Sequence, residues 1–194
     1  MIAFVRGLFV RKSPAQVIVD VNGVGYEVHI SLNTFSAIEG QTEGLLHTYL
    51  HIREDAQVLY GFAELAEKDM FVQLIGVNGI GAATARVMLS SIKPAEIATA
   101  ILQGNVKLLE SIKGIGKKTA ERLVLELKDK LQKLPGTLNN ASLVSNSLEQ
   151  EALIALTALG IARSAAEQAV KKVLQLGAAP EKVEDIIKQA LKII

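Results

Sequence analysis

The stretch LESIKGIGKKTAERLVLEL, residues Leu109–Leu127, sets two glycines around one isoleucine directly ahead of two lysines and a helix-forming run. Glycine-rich turns that open helices suit anions, because the first helical N–H groups lack partners and the helix dipole is positive there. The pattern occurs twice. LIGVNGIGAATARVML, Leu74–Leu89, aligns with Leu109–Val124 at an offset of 35, with six identical positions and three more alike in character. Each copy is an apolar helix end, a turn of the form x-G-I-G and a helix that opens x-x-T-A.

This doubled unit resembles the helix-hairpin-helix motif, which grips DNA without reading its sequence. The residue types suit that task. Gly79 and Gly81, like Gly114 and Gly116, let backbone N–H groups approach a phosphate, and the isoleucine between them fills the gap between helices. The Thr-Ala pair allows the helices to pack closely. Such contacts position a protein on a duplex and carry no base information.

Other readings of the same residues are weaker. A nucleotide P-loop needs G-x-x-x-x-G-K-[ST], but Gly116-Lys117 is followed by Lys118 and position 111 is Ser. A dinucleotide fingerprint needs a third glycine where Thr119 stands, with a strand ahead of it. A glycine C-cap between packed helices explains one copy more easily than two in phase. Lys118 stands where helix-hairpin-helix DNA glycosylases carry a nucleophilic lysine. Those enzymes also need an aspartate some twenty residues on, and the region Gly136–Leu138 holds no acid. No catalytic residue is expected.

Outward from the repeat, the periodicity changes. In residues 1–63 the runs Ile2–Val10, Gln16–Val21, Val24–Ser31, Leu45–Ile52 and Gln57–Ala63 read as short strands between turn signals. Asn22-Gly23 is a hairpin dipeptide, because both central positions of a type I′ turn need positive φ. Five strands in this space suit a small closed barrel such as an OB fold. Residues 64–134 are helical, with Ala120, Leu123, Val124, Leu127 and Leu131 forming one apolar stripe. Pro135–Ser147 carries no charge and reads as a flexible linker. Residues 148–194 read as three short helices. Ser147 with Gln150 caps the first and Ser164 caps the second, which Gly177 ends ahead of Pro180. The third carries the stripe Val183, Ile186, Ile187, Ala190, Leu191 and Ile194. The expected class is α+β multidomain: 1–63 a five-stranded OB barrel, 64–134 tandem helix-hairpin-helix, 135–147 linker, 148–194 a three-helix unit similar to ubiquitin-associated domains.

Composition excludes several function classes. The chain has 194 residues, 49% hydrophobic and 21% charged, with no cysteine. Disulfides, thiolate zinc sites, iron–sulfur clusters and thiol nucleophiles are excluded together. Arg6 interrupts the first apolar run too early for a signal peptide, and no stretch is long enough to span a bilayer, so a cytoplasmic protein is expected. Residues 1–63 hold four Lys/Arg against six Asp/Glu, whereas residues 64–134 hold eleven against eight, so the basic middle is the segment suited to a polyanion. His29, His47 and His51 fall in expected strands without nearby acids, so neither a metal nor a cofactor is expected.

Taken in order, barrel, doubled hairpin, uncharged linker and three-helix tail resemble the RuvA family, the Holliday-junction-recognition subunits of bacterial branch-migration complexes. The resemblance covers the whole chain, and its specific parts are NGVGYEVHIS (Asn22–Ser31), REDAQVLYGF (Arg53–Phe62) and GIGKKTAERL (Gly114–Leu123). It implies an acidic pin at Arg53-Glu54-Asp55, in which Glu54 and Asp55 repel phosphates at the crossing point of four DNA arms. It implies phosphate contacts by Lys117 and Lys118 beside Gly114 and Gly116. Ala82 and Ala83 stand where a lysine is common, so the first hairpin would bind through backbone at Asn78, Gly79 and Gly81, or with help from Arg86. It also implies a homotetramer, alone or as a face-to-face octamer, with four-way junction DNA, the ATP-driven RuvB motor and the RuvC resolvase as partners. The tail would dock on RuvB through Leu159, Ile186, Ile187 and Leu191. A nuclease or glycosylase, and a ubiquitin-associated-type adaptor, are the alternatives.

Overall fold

The N-terminal strands form because apolar residues alternate along them and the turns between them are sequence-encoded. A computed structural model of the chain describes residues 1–132, 144–175 and 182–193. They fall into two compact units, residues 1–137 and 138–194.

The first unit opens with β1 (Phe4–Ser13), β2 (Gln16–Val21), β3 (Val24–Ile30), β4 (Glu43–Ile52) and β5 (Gln57–Phe62). They close into a barrel of order β1-β2-β3-β5-β4, with β1 returning to pair β4 and β3 parallel to β5. Asn22 and Gly23 take φ of 51° and 87°, as the hairpin between β2 and β3 requires. Val5, Phe9, Val17, Val19, Val28, Ile30, Leu46 and Leu59 fill the interior. A short helix, α1 (Leu32–Ile38), follows β3 and contributes Ile38 to that interior. The sequence pattern did not announce it. Ser31 caps it, its Oγ accepting from the N–H of Thr34 at 3.0 Å.

Five helices complete this unit: α2 (Leu65–Ile75), α3 (Ala82–Ser91), α4 (Pro94–Leu102), α5 (Val106–Glu110) and α6 (Lys117–Gln132). Their core runs from Phe71, Leu74 and Met88 to Leu109, Leu123 and Leu127, and it takes in Tyr60 and Phe62 from β5. The expected stripe on α6 is buried at Ala120, Leu123, Leu127 and Leu131, with Val124 half-buried.

The second unit holds α7 (Val144–Ala158), α8 (Arg163–Gln175) and α9 (Val183–Ile193) around Ala152, Leu156, Ala166, Val170, Val173, Ile186 and Ala190. Two expected caps are displaced. Helix α7 starts at Val144, so Ser147 lies inside it, and α8 starts at Arg163, with the N–H of Ala166 bonded to the carbonyl of Ala162. Serine and asparagine cost a helix only tenths of a kcal/mol, about 0.5, and so do not stop it from extending past a potential cap. Gly160 (φ 88°) ends α7: its N–H bonds the carbonyl of Thr157, and that of Ile161 bonds Leu156. Gly177, Pro180, Ile194 and the expected linker residues 135–143 lie outside the described residues. Among the described residues no helix is long and apolar enough to cross a membrane.

Candidate nucleic-acid interface

The 35-residue repeat in sequence is a repeat in hydrogen bonding. In the first hairpin the N–H of Val77 bonds Leu74, that of Ile80 bonds Val77 and that of Ala85 bonds Gly81, at 3.1, 3.1 and 2.9 Å. In the second, Ile112 bonds Leu109, Ile115 bonds Ile112 and Ala120 bonds Gly116, at 3.3, 3.0 and 2.9 Å. Ile80 and Ile115 are buried between the helices they join, while both turns are exposed. Gly79 and Gly114 have φ of 96° and 92°, a conformation that costs other residues a Cβ clash.

Gly81 and Gly116 are different. Gly81 has an ordinary φ of −84°, and a Cβ added to either residue would meet no atom within 4 Å. No packing inside the described residues therefore calls for glycine at either position. The helices behind them present free amides, since no side chain caps α3 and the N–H groups ahead of Ala85 and Ala120 have no intrahelical acceptor.

The two hairpins differ in charge. Lys113, Lys117 and Lys118 are exposed around the second turn, and no ion pair holds their ammonium groups among the described residues. Lys113 has no counterpart in the sequence reading; it precedes Gly114 as Asn78 precedes Gly79. In the first hairpin Ala82 is buried at 1% exposure, so a lysine there would need a way out of the helix packing, whereas Ala83 is exposed. Arg86 is engaged on the barrel side. Its Nη1 donates to the carbonyl of Ala15 at 3.1 Å and to Nδ1 of His29 at 3.1 Å, on the barrel. Arg122 of α6 instead donates to the carbonyl of Asn78 at 3.2 Å and so ties the second motif to the turn of the first.

Glu54 and Asp55 sit exposed at the tip between β4 and β5, on a turn closed by the N–H of Arg53 bonding the carbonyl of Ala56 at 2.8 Å. Arg53 turns away from both carboxylates and donates from Nε to Nε2 of His51 at 2.9 Å, so no cation on the chain neutralises the tip among the described residues. The pin and the hairpins stand on separate elements.

In the tail Leu159 and Leu191 are exposed, at 64% and 47%. Ile186 is buried at 1% and Ile187 packs half-buried beside it, so these two serve the core of the unit. Ile154, exposed at 60%, adds to the outer apolar surface and lay outside the stripe read from the sequence. No group of three or more His, Cys, Asp or Glu side chains converges among the described residues.

Comparison with known proteins follows the same order along the chain. Residues 1–61 match the RuvA N terminal domain, 71–129 the SAM-like helix-hairpin-helix tandem, and 147–194 the RuvA C-terminal domain. Proteins named Holliday junction branch migration complex subunit RuvA are similar over 99% of both chains: 46% identical in Cytophaga hutchinsonii, 49% in Flavobacterium psychrophilum and 46% in Bacteroides thetaiotaomicron.

Proposed function

The chain belongs to the RuvA family, and from that membership we propose how its parts divide the work. It is a non-catalytic, DNA-binding subunit of a branch-migration complex, which binds the Holliday junction and targets the RuvB motor to it. The glycosylase reading of Lys118 is not favoured.

The observation that carries the division of work is the pair of turns with matching hydrogen bonds whose outer glycines, Gly81 and Gly116, would meet no atom within 4 Å if given a Cβ. In this reading the amides around Asn78, Gly79 and Gly81 hold one stretch of backbone, and Gly114, Gly116, Lys117 and Lys118 hold another. Two grips on phosphates fix a duplex arm in direction without reading bases. The unneutralised Glu54 and Asp55 then repel phosphates where arms meet and keep the strands apart.

A four-fold assembly would gather four such pins. What favours such an assembly is the outer face of β1, where Phe4, Leu8 and Val10 stand exposed on one side of the strand, with exposed Arg6 between the first two. A single tetramer would leave one face of the junction open to the RuvC resolvase as a further partner in the cytoplasm, whereas two tetramers face to face would cover both faces. The tail would meet RuvB through Leu159 and Leu191.

Gel shifts of the chain with a four-way junction and with plain duplex, without nucleotide, test this function. A shift of the junction at concentrations that leave duplex free is expected. Equal affinity for both, or cleaved product, would contradict it.

A further inference from the structure

We propose that Glu67 is a positioning residue: its buried carboxylate locks the pin-bearing barrel to the first DNA-binding hairpin as one rigid piece. This rests on the junction-binding function above.

Glu67 is 4% exposed, one of few charged or polar residues so buried, and it lies on the apolar stripe of α2 with Met70, Phe71 and Leu74. Both carboxylate oxygens are bonded. Ser31 donates from Oγ to Oε1, and Thr34 donates from Oγ1 to Oε2 at 2.7 Å. Each hydroxyl is in turn held by a backbone amide: Ser31 Oγ accepts from the N–H of Thr34 at 3.0 Å, and Thr34 Oγ1 from the N–H of Ala63 at 3.0 Å. A hydroxyl has one hydrogen, and here both point at Glu67. The site therefore wants an acceptor at two oxygens, as an ionised carboxylate provides. Burial pushes this carboxyl above its ordinary range, the two hydroxyl bonds offset part of that, and the charge of Glu64 adds to the rise.

The elements joined are the ones that matter for junction geometry. The chain leaves the pin through β5, reaches Ala63 at its end, and continues as α2 into the turn at Gly79. Thr34 ties Ala63 to Glu67 across the two-residue step between β5 and α2. Tyr60 and Phe62 of β5 add ring contacts to Phe71 of α2, with centroids 5.0 and 4.9 Å apart. Duplex binding needs only the hairpins. Preference for a junction needs pin and hairpin in fixed relation, and that relation is what the relay secures.

The test uses the full-length chain with Thr34→Val, Thr34→Ser and Glu67→Gln. Val matches Thr in shape and removes the relay. Gln matches Glu in size but turns hydrogens toward one hydroxyl, so the test stays open if Thr34→Val fails to fold. Affinities for a four-way junction and for duplex are measured at one salt concentration, with a thermal melt of each variant. Expected are a cooperative melt, duplex affinity within about twofold of the parent, and junction preference reduced about tenfold, with Thr34→Ser restoring it. A folded Thr34→Val or Glu67→Gln with unchanged preference, or with both affinities lowered in parallel, overturns the assignment. A parent chain without junction preference would instead overturn the function on which it rests.

Discussion

Arg86 donates from Nη1 to Nδ1 of His29 at 3.1 Å, which fixes the imidazole as an acceptor at Nδ1 and places its proton on Nε2. Protonating the ring would put a second hydrogen between two cations. Burial lowers the pKa of His29 most, the Arg86 charge lowers it further, and Glu27 opposes both. Gln16 and the Tyr60 ring complete its surroundings.

A pH dependence follows. The folded-state pKa lies below the ordinary imidazole value of about 6.5, so the unfolded chain binds more protons just below that value. Stability from this contact is present above about pH 6.5 and is lost as pH falls through the window beneath it. Glu67, with its raised pKa, slopes the other way, because the folded form binds its proton first. The comparison of parent with His29→Gln separates the two. Melting midpoints at pH 7.5 and 5.5 should fall more in the parent than in the variant; equal falls would exclude His29.

The lysines around the second turn carry a salt prediction. Each phosphate neutralised contributes about 0.9 to the slope of log affinity against log salt. Lys117→Ala with Lys118→Ala should flatten that slope for junction binding by about 1.8 per protomer engaged. Ala83→Lys should steepen it, because position 83 is exposed and adjoins the first turn. An unchanged slope in the double variant would remove these lysines from the interface.

Glu54→Ala with Asp55→Ala should leave DNA affinity intact or raise it, while the margin between junction and duplex shrinks. Both carboxylates are exposed and no cation pairs with them among the described residues, so their removal takes no ion pair from the fold. Their effect on phosphates is repulsive and screened by salt. A large loss of junction affinity in titrations would mean that the pair makes attractive contacts.

What the sequence disclosed divides by distance along the chain. The repeat, the hairpin at Asn22-Gly23, the five strands and the α6 stripe depend on neighbours a few residues apart, and they stand in the structure. Helix α1 escaped because seven residues with only Thr34 and Ile38 buried give too short a stripe to show a period. The partners of Arg86 and Glu67 escaped because they lie 57 and 71, or 33 and 36, residues away. One signal was available: Glu67 falls three, four and seven residues before Met70, Phe71 and Leu74, and a charge on an apolar stripe calls for a buried partner. In the tail the stripe of α9 was visible, but which of its members face out was not; Ile186 and Leu191 share it, and only Leu191 is exposed.

That distinction makes the tail testable. The second unit has its own core, formed by Leu156, Val170, Val173 and Ile186 among others, and the hairpins and pin all belong to the first unit. A chain ending at residue 137 should therefore bind four-way junctions as the full chain does, yet fail to support strand exchange with RuvB and ATP. Point changes sharpen this. Leu159→Asp and Leu191→Asp alter residues that are 64% and 47% exposed, so the unit should stay folded while motor stimulation falls. Ile186→Asp places a carboxylate in a site 1% exposed, at a cost of several kcal/mol, about what a unit this small can muster, and should unfold it. Circular dichroism melts of the isolated second unit, beside branch-migration assays of the full chain, distinguish the two effects. Normal strand exchange by the shortened chain, or by the folded Leu159 and Leu191 variants together, would dismiss the docking role of the tail.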